Sequence, residues 1–163
     1  MTYVDDLVCL TGCEKLREWW NGELRKRFKK VTFNDECKWI LNMKVNRGVS
    51  PDGTSWVELS QELAITKIAQ AAGLVDSRKC KTPTVGGEKL FATKEGDPPP
   101  TETWSYASIL GGVLYVANLT RPDIAFSANR LTRYLKHPNN THCQALKRLV
   151  RYMYTTRHLG IRY

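Results

Sequence analysis

Between residues 82 and 103 the chain carries Pro83, Gly86, Gly87, Gly96 and the run Pro98-Pro99-Pro100, a composition through which no regular helix or strand can pass. Each proline lacks the backbone donor that an internal element needs, and the glycines add conformational freedom that an element would have to remove. The stretch therefore reads as a linker or long surface loop. It separates a mixed first part from a helical last part. The chain has 163 residues, 42% of them hydrophobic, which suffices for one ordinary domain or two small ones with packed cores.

Before that stretch the pattern is mostly that of strands. Residues 2–10 read as two short β-prone runs around Asp5-Asp6, the second being Leu7-Val8-Cys9-Leu10, and so as a hairpin tipped with carboxylates. From Cys13 to Phe28 the positions Leu16, Trp20, Leu24 and Phe28 recur every four residues, one face of a helix, with Gly22 weakening it. Residues 37–47 and 55–60 are β-prone and flank Pro51-Asp52-Gly53, which supplies the fixed φ and the left-handed position of a turn. A second hairpin is expected there. Glu62 to Ala72 has helical spacing and stops at Gly73, a residue suited to a left-handed helix end.

After it, three helices are expected. Trp104 to Asn118 is strongly apolar, and Gly111-Gly112 permits a neighbour to approach closely. Asp123 to Lys136 aligns Ile124, Ala128, Leu131 and Leu135, with Pro122 at its start, and Asn140 to Thr155 aligns Cys143, Leu146, Val150 and Met153.

Charge is distributed very unevenly. The chain is net +9; residues 11–47 hold +5, including Arg25-Lys26-Arg27-Phe28-Lys29-Lys30, and residues 121–163 hold nine basic side chains against the single acid Asp123. Confined like charges repel unless something neutralises them, so the last segment is expected either to meet a polyanion or to form a solvated helix surface. For the first case Arg130, Arg133, Lys147, Arg148 and Arg151 are the candidate phosphate-binding residues, on faces opposite Leu131, Leu135, Leu146 and Val150. No apolar run reaches the roughly 18 residues of a membrane span, the acidic N-terminus does not read as an export signal, and no membrane partner is expected. Five cysteines without a framework spacing suit reduced thiols inside a cell, which leaves the sequons at Asn118 and Asn139 without meaning. Cys9 and Cys13 with His137, His142 and Cys143 match no standard zinc spacing, and Trp104, Tyr106 and Tyr115 fit a core better than a base-stacking platform. There is no phosphate-cradling glycine loop and no nucleophile elbow.

Adjacent carboxylates at a hairpin tip repel one another. A hard divalent cation offsets that repulsion, and so does plain solvation of a polar turn. The tetrapeptide Tyr3-Val4-Asp5-Asp6, followed by Leu7-Val8, resembles the palm motif of reverse transcriptases. Further stretches fit the copia-type retrotransposon Pol polyprotein in order and spacing: Glu58-Leu59-Ser60-Gln61, Thr82-Pro83, Leu110-Gly111-Gly112-Val113-Leu114-Tyr115, Thr120-Arg121-Pro122-Asp123-Ile124, and a closing set from Pro138 and His142 to Leu159-Gly160-Ile161-Arg162-Tyr163. Together they span the chain.

The resemblance implies an α+β fold: a truncated polymerase palm with its metal-binding and primer-grip-like hairpins over 1–61, a short helix and connection over 62–81, the linker 82–103, and a basic helical thumb or connection over 104–163. It implies RNA-directed DNA polymerase chemistry, with Asp5 and Asp6 as catalytic metal ligands for Mg²⁺ or Mn²⁺ and Tyr3 against the primer end. The implied partners are an RNA template, a DNA primer, their hybrid, deoxynucleotides and the rest of the Pol polyprotein, in a cytoplasmic particle or the nucleus. By the family pattern a third palm aspartate and the fingers lie upstream and a ribonuclease H domain downstream, so the chain looks like an internal slice, inactive alone. A non-catalytic nucleic-acid-binding remnant is the alternative. Leu41-Asn42 stands where the family usually has Leu-Gly, and Ala64 where an aromatic is usual; both bear on the second hairpin.

Overall fold

The computed structural model describes residues 2–3, 6–7, 9, 11–34, 36–87 and 89–163, with the backbone alone for Thr2, Tyr3 and Asp6. The fold is α+β. It divides into two compact units, residues 1–40 and 41–163.

In the first unit, β1 (Thr2–Tyr3) pairs antiparallel with β2 (Asp6–Leu7). An antiparallel pair is present where the hairpin is expected, but Asp6, expected in the turn, is a strand residue opposite Tyr3; Cys9 lies outside the strand, and Val8 and Leu10 lie outside the described residues. Helix α1 (Glu14–Arg27) begins with Glu14 and ends with Arg25, Lys26 and Arg27, charges placed to suit the helix dipole at both ends. Of the four positions expected on one apolar face, Trp20 and Leu24 are half-buried, Leu16 is exposed, and Phe28 lies past the helix end in extended backbone and is exposed; α1 has no fully buried residue, and Trp19 is exposed as well. A short strand β3 (Trp39–Ile40) closes the unit.

The second unit opens with the turn Leu41-Asn42, both residues at positive φ (49° and 57°). Strand β4 (Met43–Val49) then pairs antiparallel with β5 (Ser55–Ser60). Between them the Ser50 and Thr54 backbones are joined at 2.8 Å, Gly53 takes φ 85°, and the Thr54 N–H donates to the Asp52 carboxylate. That bond holds the Asp52 carboxyl below its ordinary range. The departure at Leu41-Asn42 therefore leaves this hairpin intact, and its cost falls on the turn.

Helices α2 (Glu62–Ala71), α3 (Tyr106–Leu119), α4 (Ala125–Thr132) and α5 (Asn140–Thr155) pack pairwise around one core. Ile65, Leu110, Val113, Val116, Ile124, Leu146, Leu149 and Met153 are fully buried in it. Of the two adjacent glycines, Gly112 makes the close approach: a Cβ there would lie 3.0 Å from the Ile68 side chain, while Gly111 faces open space. Gly73 ends α2 at φ 65°.

Two features differ from the sequence pattern. The expected helix 123–136 divides into a single 3₁₀ turn at Pro122–Ile124 and the short α4, which ends four residues early. The Tyr134 and Leu135 N–H groups bond three residues back instead of four, and the Tyr134 ring stacks on His142 at 3.8 Å between centroids. Leu135 is therefore drawn out of the apolar face and is 40% exposed. The second feature is strand β6 (Gly160–Arg162), which the pattern does not signal and which pairs antiparallel with β5.

Among the described residues the segment 82–103 forms no helix or strand, as its composition dictates, but it is fastened along the helices. The Tyr134 hydroxyl donates to the Leu90 carbonyl at 2.9 Å, the Thr93 hydroxyl to the His137 carbonyl at 2.6 Å, and Leu90 and Trp104 pack against the core.

Candidate nucleic-acid interface

In the carboxylate hairpin, the register sets Tyr3 opposite Asp6 and Thr2 opposite Leu7. The short ladder is made by Thr2, Tyr3, Asp6 and Leu7, so Asp6 is itself a strand residue. Asp5, with Val4, lies outside the described residues. Adjacent carboxylates in sequence are hard oxygen donors of the type a divalent cation takes. Among the described residues, no group of three or more His, Cys, Asp and Glu side chains is placed to hold a metal. The cysteines are unbridged, and Cys143 is buried.

The Thr-Arg-Pro-Asp stretch does something that charge counting missed. Arg121 is 1% exposed. Its Nε and Nη2 donate to the two Asp123 oxygens, each at 2.8 Å, while Nη1 and Nη2 also reach the Thr156 carbonyl and hydroxyl at 3.0 and 2.7 Å. The Tyr152 hydroxyl donates to Asp123 Oδ2 at 2.8 Å. Burial pushes the Asp123 carboxyl up, but the hydrogen bonds from Arg121 and Tyr152 outweigh it and hold the carboxyl below its ordinary range. One of the nine cations of the last segment is therefore spent inside the protein, joining the α3–α4 turn to the end of α5.

His142 is likewise structural. Asn139 caps α5, accepting from the His142 N–H, and His142 Nδ1 accepts from the Asn139 N–H at 3.0 Å, a reciprocal cap. With Nδ1 an acceptor, Nε2 carries the proton and donates to the Phe91 carbonyl at 3.0 Å, which ties the irregular segment to the helix. Burial lowers the pKa of His142, against the opposing effect of the Phe91 carbonyl.

The five expected phosphate-binding residues occupy three different settings. Arg133 is exposed just past α4, and Arg130 sits partly buried in its last turn. Lys147 is committed: its Nζ lies 2.5 Å from Glu102 Oε1, and both side chains are mostly covered. Arg148 and Arg151 are half-buried on one face of α5, Arg148 Nη2 donating to the Thr82 hydroxyl at 2.8 Å. The Nε atoms of both are buried with no hydrogen-bond partner. α5 thus brings Arg148 and Arg151 together, while Lys147 next in sequence is neutralised by an acid that only folding supplies. Tyr106 is buried with its hydroxyl on the Leu131 carbonyl, whereas Tyr115 is exposed and donates to the Leu41 carbonyl at 2.6 Å.

No protein-family model matches the chain, and no solved structure matches it. Curated relatives do. The chain is 29% identical over 161 residues to the Ty5-1 transposon protein of Saccharomyces cerevisiae, covering 99% of this chain and 50% of that one. It is 32% identical over 164 residues to the retrovirus-related Pol polyprotein of transposon RE1 of Arabidopsis thaliana, and 30% identical over 162 residues to that of transposon TNT 1-94 of Nicotiana tabacum. It spans half of the yeast protein and 10% and 12% of the two plant polyproteins.

Proposed function

The homologues of this chain are Pol polyproteins of Ty5/copia-type retrotransposons, and from that premise we propose that it is the part of a reverse transcriptase that runs from the palm into the thumb and connection. The reaction is RNA-directed DNA synthesis. The observation that carries this reading is the sequence Tyr3-Val4-Asp5-Asp6, in which Tyr3 pairs antiparallel with Asp6.

Asp5 and Asp6 hold the divalent cations, Asp5 directly and Asp6 in support. Mg²⁺ or Mn²⁺, when bound, supplies activation of the primer 3′-hydroxyl and neutralisation of the pyrophosphate leaving group. Tyr3 lies against the primer end, and the β4–β5 hairpin grips the primer strand. The helices from α3 onward hold the RNA–DNA hybrid by its phosphates, a sequence-independent interaction that lets the enzyme move along any template. The setting is intracellular, in a cytoplasmic particle or the nucleus, with the rest of the polyprotein as partner.

The test is a chimera in which this chain replaces the matching segment of the RE1 polyprotein. Template-directed incorporation of deoxynucleotides, abolished by Asp5→Asn, is the expected result. Hybrid binding with no incorporation by a folded chimera would favour the non-catalytic remnant instead.

A further inference from the structure

We propose that the connector after α2, residues 78–82, together with the Arg148/Arg151 face of α5, forms one phosphodiester-binding site. This rests on the nucleic-acid reading above and gives it an address. The connector carries Arg78, Lys79 and Lys81, all exposed, and Asp76 is the one acid between residues 75 and 84. It is hitched to α5 at two points. The Cys80 N–H donates to the Thr155 hydroxyl oxygen at 3.2 Å, and the Thr82 hydroxyl accepts from Arg148 at 2.8 Å. The Thr155 hydroxyl itself donates to the Arg151 carbonyl.

Lys81 lies between the two hitches on the connector, and Arg151 lies between them on the helix. Two cationic stretches 66 or more residues apart in sequence are thereby held side by side. Among the described residues none of these five cations is in an ion pair, in contrast to Lys147, Arg157 and Arg162, each of which has a glutamate. The buried, unpartnered Nε atoms of Arg148 and Arg151 add to the local excess of donors over acceptors. Helical residues 148 to 155 rise about 10 Å along α5, a length that meets about three successive phosphates of one strand at 3.4 Å each. Lys81, Arg148 and Arg151 at the hitches, with Arg78 and Lys79 just before the first of them in sequence, are unneutralised cations suited to a polyanion of regular charge spacing. A single anion would leave most of them uncompensated.

The experiment is fluorescence anisotropy of the full chain against a 20-base-pair RNA–DNA hybrid at several salt concentrations. Three forms are compared: unmodified, Lys79→Ala with Lys81→Ala, and Lys29→Ala with Lys30→Ala as a charge-matched control. Both pairs are exposed, so their removal leaves the fold in place. The connector pair is expected to flatten the log–log salt slope by up to about two units, and the control pair to leave it unchanged. A steep slope in the unmodified chain that the connector pair does not alter would overturn this site and leave the nucleic-acid reading standing. Equal flattening by both pairs would overturn it too, since net charge would then be the cause. No hybrid binding by the unmodified chain would overturn the site and the broader reading together, and the same holds if the chain binds only vesicles rich in phosphatidylserine.

Discussion

Arg121 and Asp123 face each other across a proline, two residues apart, with two parallel contacts of 2.8 Å between guanidinium and carboxylate. The rigid fork of arginine matches a carboxylate in this way, and lysine cannot reproduce it. Removal of the acid leaves a buried guanidinium with Thr156 and the face of the Tyr152 ring as its remaining contacts. Asp123→Ala is therefore expected to destabilise the chain by about 3 kcal/mol in urea unfolding. Tyr152→Phe, which removes one hydrogen bond to the same carboxylate, is expected to cost about 1 kcal/mol.

The cap on α5 makes stability depend on pH. His142 is neutral in the fold with its pKa below the ordinary 6.5. A histidine with a depressed folded pKa contributes stability that is complete above the unfolded value and is lost as the unfolded chain takes up its proton. The midpoint of urea unfolding is expected to fall as pH drops below about 6.5, and His142→Gln to flatten that part of the profile. Asp123 has the same sign in a lower window, its contribution being lost below the ordinary carboxyl range near 3.8. The two groups are thus distinguishable by pH alone.

The ion pair between Lys147 and Glu102 separates apparent from available charge. Lys147→Ala is expected to leave the salt slope of hybrid binding unchanged, whereas Arg148→Ala with Arg151→Ala flattens it by up to about two units. Glu102→Gln releases the lysine and is expected to steepen the slope by up to about one unit. Anisotropy titrations at three salt concentrations measure all three.

Two backbone positions give opposite predictions. At Gly160 a Cβ would lie 2.3 Å from the Leu59 carbonyl oxygen, a backbone atom of the paired strand, so Gly160→Ala has to push β6 away from β5. A loss of about 1–3 kcal/mol is expected from thermal unfolding. Asn42 is exposed at φ 57°, where glycine has no Cβ to strain. Asn42→Gly is expected to raise stability by up to about 1 kcal/mol.

Sequence alone determined the parts whose cause is local. The period of α2 and α5, the turn at Pro51-Asp52-Gly53, the end of α2 at Gly73 and the break at 82–103 all follow from residues within a few positions of one another. The antiparallel pairing near the N-terminus was legible for the same reason, though not that Asp6 would stand in the strand. The tertiary structure decided everything that depends on a distant partner. Leu135 leaves the apolar face because Tyr134 is held by His142 and Leu90; β6 is a strand because β5 offers it an edge; Arg121 is buried because Asp123 and Thr156 meet it. Of the cations read as one basic surface, Lys147 was taken by Glu102, and Arg148 was set beside a connector 66 residues away in sequence. Periodicity and charge counts describe each residue with its chain neighbours. Which charge stays free is settled by packing, because a partner from another element can cancel it or leave it to solvent.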